Sequence, residues 1–337
     1  MKKLLTVALM ALTISASLIA NGTTESSSST SAKSNDTIVL RLADNQPIGY
    51  PTVVGDNKFA ELVSEYSDGR IKIEVYPQAQ LGDEKSCIEQ VQFGGIDFTR
   101  VSLSPLASFN PELDCLQMPY LYRDETHLWK VLDGEIGQHF LDSMSDSGLI
   151  GLCFFDSGAR SFYTTKKPIY TVADMKGLKI RVQESDLMMG LVESLGAVPT
   201  PMSYGDVYSA LQTGVIDGAE NNWPSYDTSS HFEVAPFYSI DQHTRVPEMI
   251  VASKITLDKL SDEDIALIKK AAKDCEATQI QAWADFAKKS EAKVRAAGCK
   301  INEINSQAEF AAAMQPLYEK SLNANEKAWV EKIREVK

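Results

Sequence analysis

The sequence predicts an α/β protein built from two lobes, and three observations lead to this fold class. The chain has 337 residues, which exceeds the usual size of a single domain. Its early part alternates a strand (37–43), a helix (55–66) and a second strand (71–76), an order typical of a parallel sheet. Further along, arginines follow predicted strands, at the edge where open α/β sheets bind ligands.

Composition and charge narrow the class of partner. Hydrophobic residues make up 44% of the chain and charged residues 23%, which is ordinary for a soluble globular protein. The formal net charge of -13 argues against binding nucleic acid or an anionic membrane. A small anionic ligand remains compatible, because one buried arginine sets the local potential more strongly than the distant surface does.

The N-terminus is typical of an exported protein. Two lysines precede the apolar run 4–20, which is too short for a typical membrane-spanning helix, so residues 1–20 are predicted to be a signal peptide. Asn21 stands where a lipoprotein signal would carry the lipidated cysteine, so lipidation is not expected there. Residues 21–36 are rich in serine and predict a solvated linker. We therefore expect a periplasmic protein.

The first lobe continues with a helix, a strand, a helix and a strand. Acidic residues at 83–84 open a helix in the way that the helix dipole favours. Residues 96–101 predict a strand with Arg100 at its exit, and 127–144 an amphipathic helix. The continuous apolar run 149–155 is typical of a strand buried on both faces, and it leads to Arg160.

The central stretch 173–223 organises the second lobe. Apolar residues at 178, 180 and 182 alternate with polar ones, which predicts a strand with Arg181 on its polar face. A capped helix follows, ending at Gly214, and residues 215–218 predict a second strand that leads to Asn221. Since a crossover brings the carboxyl ends of parallel strands together, Arg181 and Asn221 are expected on one rim of one cleft.

The last part of the chain is predicted to be mainly helical. Residues 250–253 predict a strand that returns to the first lobe. A capping box at 261–264 opens a helical segment that lasts until Gly298 and should extend beyond one lobe. From residue 308 the chain is helical and charged.

Cysteine usage does not indicate a metal site or a full disulfide framework. The five cysteines are odd in number and lack metal-ligand spacing: Cys87, Cys115, Cys153, Cys275 and Cys299. We favour small buried hydrophobic residues, with one disulfide among them as the alternative.

Three segments carry a family resemblance. The runs MKGLKIRV (175–182), GAVPTPMSYGDVYSALQTGVIDGAEN (196–221) and YPQAQLGDE (76–84) resemble the solute-binding proteins of tripartite ATP-independent periplasmic (TRAP) transporters, the DctP family. The similarity extends from about Ile38 to the C-terminus. It implies a two-lobed periplasmic-binding-protein-like fold, each lobe a mixed sheet flanked by helices, with a long helix bridging the lobes and the ligand in the inter-lobe cleft.

The lobe boundaries follow from this expectation. We expect residues 37–158 and 247–285 to form lobe I, and residues 159–246 and 286–337 to form lobe II.

The resemblance also implies a function and a partner. It predicts an extracytoplasmic receptor that closes over an organic acid and delivers it to a TRAP membrane permease driven by an ion gradient. A ligand-sensing module for a receptor kinase is the alternative that the fold leaves open. Enzyme activity is not expected, because the chain lacks a phosphate-binding Gly-rich loop, a nucleophile elbow and paired histidines. We expect a monomer without cofactor or metal.

Three arginines are the main candidates for ligand binding. A guanidinium binds a carboxylate through two parallel hydrogen bonds and costs less to desolvate than an ammonium. The resemblance implies that Arg181 grips the ligand carboxylate, that Arg160 supports it and that Asn221 reaches the ligand. Arg100 departs from the related sialic-acid and dicarboxylate binders and should alter specificity.

A sugar is recognised by hydrogen-bond donors and acceptors for its hydroxyl groups and by an aromatic face for its C–H surface. The candidates are Asn45, Gln46, Tyr50, Asp83, Glu84, Tyr204, Trp223 and His243. Helix capping explains at least one of the two acids without a ligand. A sugar acid such as glucuronate or galacturonate is favoured, since unused carboxylates would repel a dianion. The alternative is a C4-dicarboxylate or keto acid, with Arg100 as a second clamp.

Overall fold

The structure is a computed structural model that describes residues 37–337. The predicted signal peptide (1–20), Asn21 and the predicted linker (21–36) lie outside the described residues. None of the helices in the described part combines the length and the apolar content needed to cross a membrane.

Eleven strands are present in the described chain. In chain order they are β1 (Ile38–Ala43), β2 (Ile71–Tyr76), β3 (Phe98–Ser102), β4 (Leu149–Phe155), β5 (Ala159–Thr164), β6 (Lys179–Val182), β7 (Val198–Pro201), β8 (Gly218–Asn221), β9 (Phe237–Arg245), β10 (Glu248–Ser253) and β11 (Lys300–Glu303).

The strands form two mixed sheets. The first has the order β2-β1-β3-β10-β4, with β1 parallel to β2 and β3 while β10 runs antiparallel to both of its neighbours. The second has the order β11-β9-β5-β8-β6-β7, with β6 parallel to β7 and β8, and β5 antiparallel to β8 and β9. We call the first sheet with its helices lobe I and the second lobe II. The predicted two-lobed α/β class is confirmed.

Helices flank both sheets. They are α1 (Pro51–Tyr66), α2 (Glu84–Gln92), α3 (Leu103–Leu106), α4 (Glu125–Leu132), α5 (Glu135–Asp142), α6 (Val172–Met175), α7 (Asp186–Ser194), α8 (Val207–Thr213), α9 (Trp223–Thr228), α10 (His231–Val234), α11 (Lys254–Leu257), α12 (Asp262–Ala296), α13 (Gln307–Ala313), α14 (Gln315–Ser321) and α15 (Ala324–Glu335). Short 3-10 helices span Pro111–Leu116, Ser143–Ser147 and Tyr204–Asp206.

The long helix α12 bridges the lobes, as expected. Its 35 residues span about 52 Å at 1.5 Å per residue. The side chain of Ser261 caps its first turn by accepting a hydrogen bond from the Asp264 amide. The helix packs on α1 and β4 of lobe I and on α9 of lobe II. At the crossing, Gln279 exchanges two hydrogen bonds of 2.8 Å with the Asp156 backbone, which ties the helix to the end of β4.

Two predicted elements are placed differently. The helix expected over 127–144 is divided into α4 and α5, because the chain turns at Gly134 and α5 approaches the end of α4 closely. A Cβ atom at Gly137 would lie 1.9 Å from the Leu132 carbonyl oxygen. The strand expected over 215–218 begins only at Gly218, because the Val215 amide still donates to the Ala210 carbonyl and closes helix α8.

The C-terminal helix α15 packs against the 3-10 helix Pro111–Leu116. The imidazole of His127 lies 2.9 Å from the Ile333 carbonyl oxygen. Residues expected in lobe II thus contact residues expected in lobe I, and the detailed lobe boundaries stay a prediction. All five cysteines are free, and all but Cys299 are buried, in agreement with their interpretation as small hydrophobic residues.

Candidate functional site

The sheets of both lobes contribute polar side chains to a cleft. A cavity of about 20 Å³, here the inner cavity, has room for about one water molecule. It is lined by Asn45, Gln46, Tyr50, Thr52, Glu84, Arg100, Arg160, Arg181, Gln183, Tyr204, Asn221, Asn222, Ser225 and Glu248. A larger cavity of about 520 Å³, here the outer cavity, shares five of these residues: Asn45, Glu84, Arg181, Gln183 and Tyr204. The two cavities are therefore adjacent parts of one cleft.

Side chains of the two lobes already touch across this cleft. The hydroxyl groups of Tyr50 in lobe I and Ser225 in lobe II lie 2.8 Å apart. The Ser203 hydroxyl donates to the Asp83 carboxylate at 3.2 Å. These bonds join one lobe to the other, so the structure represents a closed arrangement of the lobes.

Arg100 lies at the lobe I side, and carboxylates saturate it. Its Nε donates to Asp44 at 2.9 Å, and one Nη donates to Glu248 at 2.7 Å and to Glu84 at 3.2 Å. The other Nη donates to Asp44 and, at 2.7 Å, to the Asn45 side-chain oxygen. A guanidinium has five N–H donors, and all five are used here. Arg100 lies within strand β3, not at a strand exit as expected, since β3 extends to Ser102.

The acids around Arg100 have shifted pKa values. Burial raises the pKa of Asp44, but the attraction of Arg100 outweighs burial and lowers it below the ordinary value. Burial raises the pKa of Glu248 to about 7 in spite of Arg100. Asp56 is fully buried beside Asp44, and burial together with that carboxylate raises its pKa well above the ordinary value. The lobe I side of the cleft therefore holds more carboxyl groups than its single cation needs.

Arg160 is the second arginine, and one carboxylate neutralises it. It donates from Nε and Nη2 to the two oxygens of Glu220, at 2.5 and 2.8 Å. Burial lowers the pKa of Arg160, but Glu220 outweighs burial and raises it above the ordinary value. The Nη1 group donates to no described residue, so two N–H donors remain at the inner cavity.

His243 also contacts Glu220, the acidic partner of this ion pair. Its Nε2 lies 3.3 Å from Glu220, and its Nδ1 lies 3.0 Å from Asp241. Burial lowers the pKa of His243, but the two carboxylates outweigh burial and raise it to about 9. Burial likewise opposes ionisation of Glu220, yet Arg160 and His243 lower its pKa to about 2. The two cations and two anions balance in charge.

Arg181 is the third arginine, and among the described residues no carboxylate pairs with it. Its Nε and Nη2 both donate to the Met202 carbonyl oxygen, at 3.0 and 2.7 Å. The residue is only 3% exposed, and burial lowers the pKa of Arg181 from its ordinary value. Three of its five N–H donors remain unused. A buried guanidinium in this state is prepared for an anionic partner.

Local structure explains the position of Arg181. Strand β6 lies between β7 and β8, with Arg181 opposite Thr200 and Ala219. The side chains of Ile180 and Val182 belong to the hydrophobic core, so the alternation of the strand directs Arg181 to the other face. His231 lies near Arg181, and burial together with this cation lowers the pKa of His231 to about 3.

Several amide groups at the inner cavity also lack partners. The side-chain oxygens of Gln46 and Gln183 are buried and make no hydrogen bond to the described residues. The Asn221 side-chain oxygen accepts from the Asn222 amide at 2.9 Å, while its Nδ2 donates to no described residue. Because buried polar groups are normally paired, these groups are free to bond a water molecule or a polar group of a ligand.

The structure brings most of the predicted site residues together. Nine line the inner cavity: Asn45, Gln46, Tyr50, Glu84, Arg100, Arg160, Arg181, Tyr204 and Asn221. Asp83 lines the outer cavity and also caps helix α2 by accepting from the Ser86 amide at 2.8 Å. Their role as ligand contacts stays a prediction.

Two of the predicted site residues lie away from both cavities. Trp223 is partly buried, stacks on Tyr238 with ring centroids 3.9 Å apart, and packs against the core of lobe II. His243 is fully buried and is linked to the inner cavity only through Glu220 and then Arg160. Neither residue lines the inner or the outer cavity in the described structure.

Other lining residues were not among the predicted site residues. Gln183 could have been found, because it follows Arg181 at a spacing of two on the same face of one strand. Glu248 had no such signal, since it comes from β10, an antiparallel return strand. Among the described residues, no group of three or more His, Cys, Asp or Glu side chains could hold a metal ion.

Comparisons with known proteins agree with this geometry. The chain matches the DctP family, bacterial extracellular solute-binding protein, family 7, over residues 42–325. A solute-binding protein of Chromohalobacter salexigens is 40% identical over 273 residues, which cover 81% of each chain.

Two solved structures are similar over nearly the whole fold. A TRAP periplasmic solute-binding protein from Bradyrhizobium sp., in complex with galacturonate, is 46% identical with a TM-score of 0.87 and covers 88% of this chain and 99% of its own. One from Roseobacter denitrificans, with bound β-D-glucuronate, is 39% identical with a TM-score of 0.86 and covers 89% and 100%.

Proposed function

Because the chain belongs to the DctP family of bacterial extracellular solute-binding proteins, family 7, we propose that it is the receptor of a TRAP transporter and binds a hexuronate such as galacturonate or glucuronate. The bound sugar acid is delivered to the membrane permease. The protein acts outside the cytoplasmic membrane as a monomeric receptor and performs no chemistry on its ligand.

The observation that carries this proposal is the unpaired charge of Arg181. A buried cation without a carboxylate is costly, and a ligand carboxylate relieves that cost through charge-assisted hydrogen bonds. The two free N–H donors of Arg160 can support the same carboxylate, although its own charge is neutralised by Glu220. One anionic group of the ligand therefore fits the lobe II side.

The lobe I side favours hydroxyl groups over a second carboxylate. Arg100 has no free donor, because Asp44, Glu84 and Glu248 use four of the five and Asn45 uses the fifth. A second ligand carboxylate would meet these acids and be repelled. Hydroxyl groups can donate to Glu84 and to the unpaired oxygen of Gln46 on this side, and to that of Gln183 on the lobe II side. This division supports a sugar acid over a C4-dicarboxylate.

Lobe closure couples binding to delivery. A ligand held between Arg181 and lobe I stabilises the closed arrangement, and it shifts the population of lobe conformations as far as its differential affinity allows. Closure also removes water from the cleft and strengthens the ion pair with the carboxylate.

The test is a thermal-shift and calorimetric screen with galacturonate, glucuronate, succinate and neutral galactose. A hexuronate at about a hundred times its dissociation constant should stabilise the protein by about 2.7 kcal/mol, while succinate and galactose should have no such effect. Nuclear magnetic resonance should recover the sugar acid unchanged. Stabilisation by succinate but by neither hexuronate would overturn the proposal.

A further inference from the structure

The outer cavity is larger than one hexuronate needs. Its volume of about 520 Å³ lies within the range of about 300–1,000 Å³ that is typical of pockets for drug-sized ligands, and a single hexose acid is much smaller than such a ligand. It joins the inner cavity at Arg181, where the ligand carboxylate is expected. A ligand anchored there has space for a further group.

This space persists although the lobes are in contact. Tyr50 and Ser225 lie within hydrogen-bond distance across the cleft, and so do Asp83 and Ser203. Asp83 and Ser203 themselves line the outer cavity. The volume is therefore part of the closed arrangement and does not depend on further separation of the lobes.

The lining determines which group fits. Among the described residues of the outer cavity, Arg181 is the one cation, while four carboxylates line it: Asp83, Glu84, Glu184 and Asp206. Four less polar residues, Pro47, Ala79, Pro105 and Met202, provide surface for C–H groups. A second anion would be repelled by these acids, whereas hydroxyl groups can donate to them. A neutral sugar has both the hydroxyl groups and the C–H surface.

We propose that the outer cavity is a subsite for a neutral sugar, so that the receptor also binds an acidic disaccharide in which a hexuronate is linked to a neutral monosaccharide. The uronate lies at the end of the outer cavity that adjoins the inner cavity, with its carboxylate on Arg181, and the neutral sugar occupies the rest of the outer cavity. The inference rests on the proposed function and extends its substrate class.

Gly205 allows a direct test. It lines the outer cavity but not the inner one, and a Cβ atom added there meets no atom within 4 Å. Its backbone is outside the left-handed region, so a side chain introduces no strain. A Gly205→Phe variant should fold normally and place a bulky side chain at the wall of the outer cavity, which narrows it, and Gly205→Ala is the matched control.

The experiment is calorimetric titration with galacturonate, galacturonosyl-rhamnose and digalacturonate. Galacturonosyl-rhamnose should bind within about tenfold of galacturonate, and digalacturonate should bind at least about tenfold more weakly because of its second carboxylate. Gly205→Phe should weaken disaccharide binding by about fiftyfold or more and leave galacturonate within about threefold. Gly205→Ala should change neither.

The outcomes separate the two proposals. If galacturonate binds and neither disaccharide does, the subsite is disproved and the proposed function stands. Equal weakening of galacturonate and galacturonosyl-rhamnose by Gly205→Phe would also disprove the subsite. If galacturonate itself fails to bind, the proposed function fails first.

Discussion

Lobe I and lobe II each bury an arginine at the cleft, and they satisfy its charge in opposite ways. Arg100 of lobe I uses all five N–H donors on Asp44, Asn45, Glu84 and Glu248. Arg181 of lobe II is as deeply buried, yet it donates only to the Met202 carbonyl. Arg160 is intermediate, with one carboxylate partner and two free donors.

This difference separates structural from ligand-binding arginines better than position in the chain does. All three arginines lie in strands and all line the inner cavity. A guanidinium whose donors are saturated by carboxylates stabilises the folded protein, since removing it leaves buried acids unpaired. A guanidinium without such a partner has binding energy available for a ligand. The variants below test this distinction in order of expected effect.

The largest effect is expected for Arg100→Gln. It leaves Asp44 and Glu248 buried without their cation, which should lower the free energy of unfolding by about 3–5 kcal/mol. Urea unfolding measures this loss. Adding Asp44→Asn should recover part of it, because one uncompensated charge is removed. A stable Arg100→Gln protein that has lost hexuronate affinity would instead make Arg100 a ligand clamp.

Arg181→Gln should act on binding, not on stability. Losing the buried clamp should weaken hexuronate binding by about 2–4 kcal/mol, which is about thirtyfold to a thousandfold. The melting temperature without ligand should stay the same or rise, because a buried unpaired cation is removed. Arg41→Gln is the matched control, since Arg41 is exposed outside the cleft. Unchanged affinity of Arg181→Gln would refute the site.

The His243 network predicts a smaller, pH-dependent effect. The pKa of His243 is raised from 6.5 to about 9 in the folded protein, so its protonation stabilises the fold fully below about pH 6.5. This contribution, up to about 3 kcal/mol, should be lost as the pH rises to about 9. Urea unfolding at several pH values should show the loss in the wild type and a flatter profile in His243→Gln. Parallel profiles would exclude His243 as the source.

The smallest effect is expected for the hydrogen bond between Ser203 of lobe II and Asp83 of lobe I. Ser203→Ala removes the hydrogen bond to Asp83, which should weaken hexuronate binding by about 0.5–1.5 kcal/mol because closure loses one contact. Ser86→Ala is the control, since its hydroxyl bonds the Asp83 backbone within lobe I. Calorimetry compares the two. An equal loss in both variants would indicate that Asp83 acts only through helix α2.

Much of the fold could be predicted because its signals are local. Alternation placed Arg181 on one face of β6, and Ser261 marked the start of the long helix α12. The predicted strand before Asn221 began too early, since Val215 still closes helix α8. That turn depends on a backbone hydrogen bond, which residue patterns do not reveal.

The sequence by itself determined the two-lobed α/β class, the long bridging helix and the arginines beside the cleft, because these follow from periodicity, caps and motifs within short segments. Only the tertiary structure decided which arginine is free. Glu248 reaches Arg100 from 148 positions away and Glu220 reaches Arg160 from 60, and such pairings depend on how distant strands meet. The same reason places His243 behind Glu220 and Trp223 against the core of lobe II, away from the ligand cavities. Charge compensation is a property of the folded cleft, so the unpaired Arg181 became visible only there.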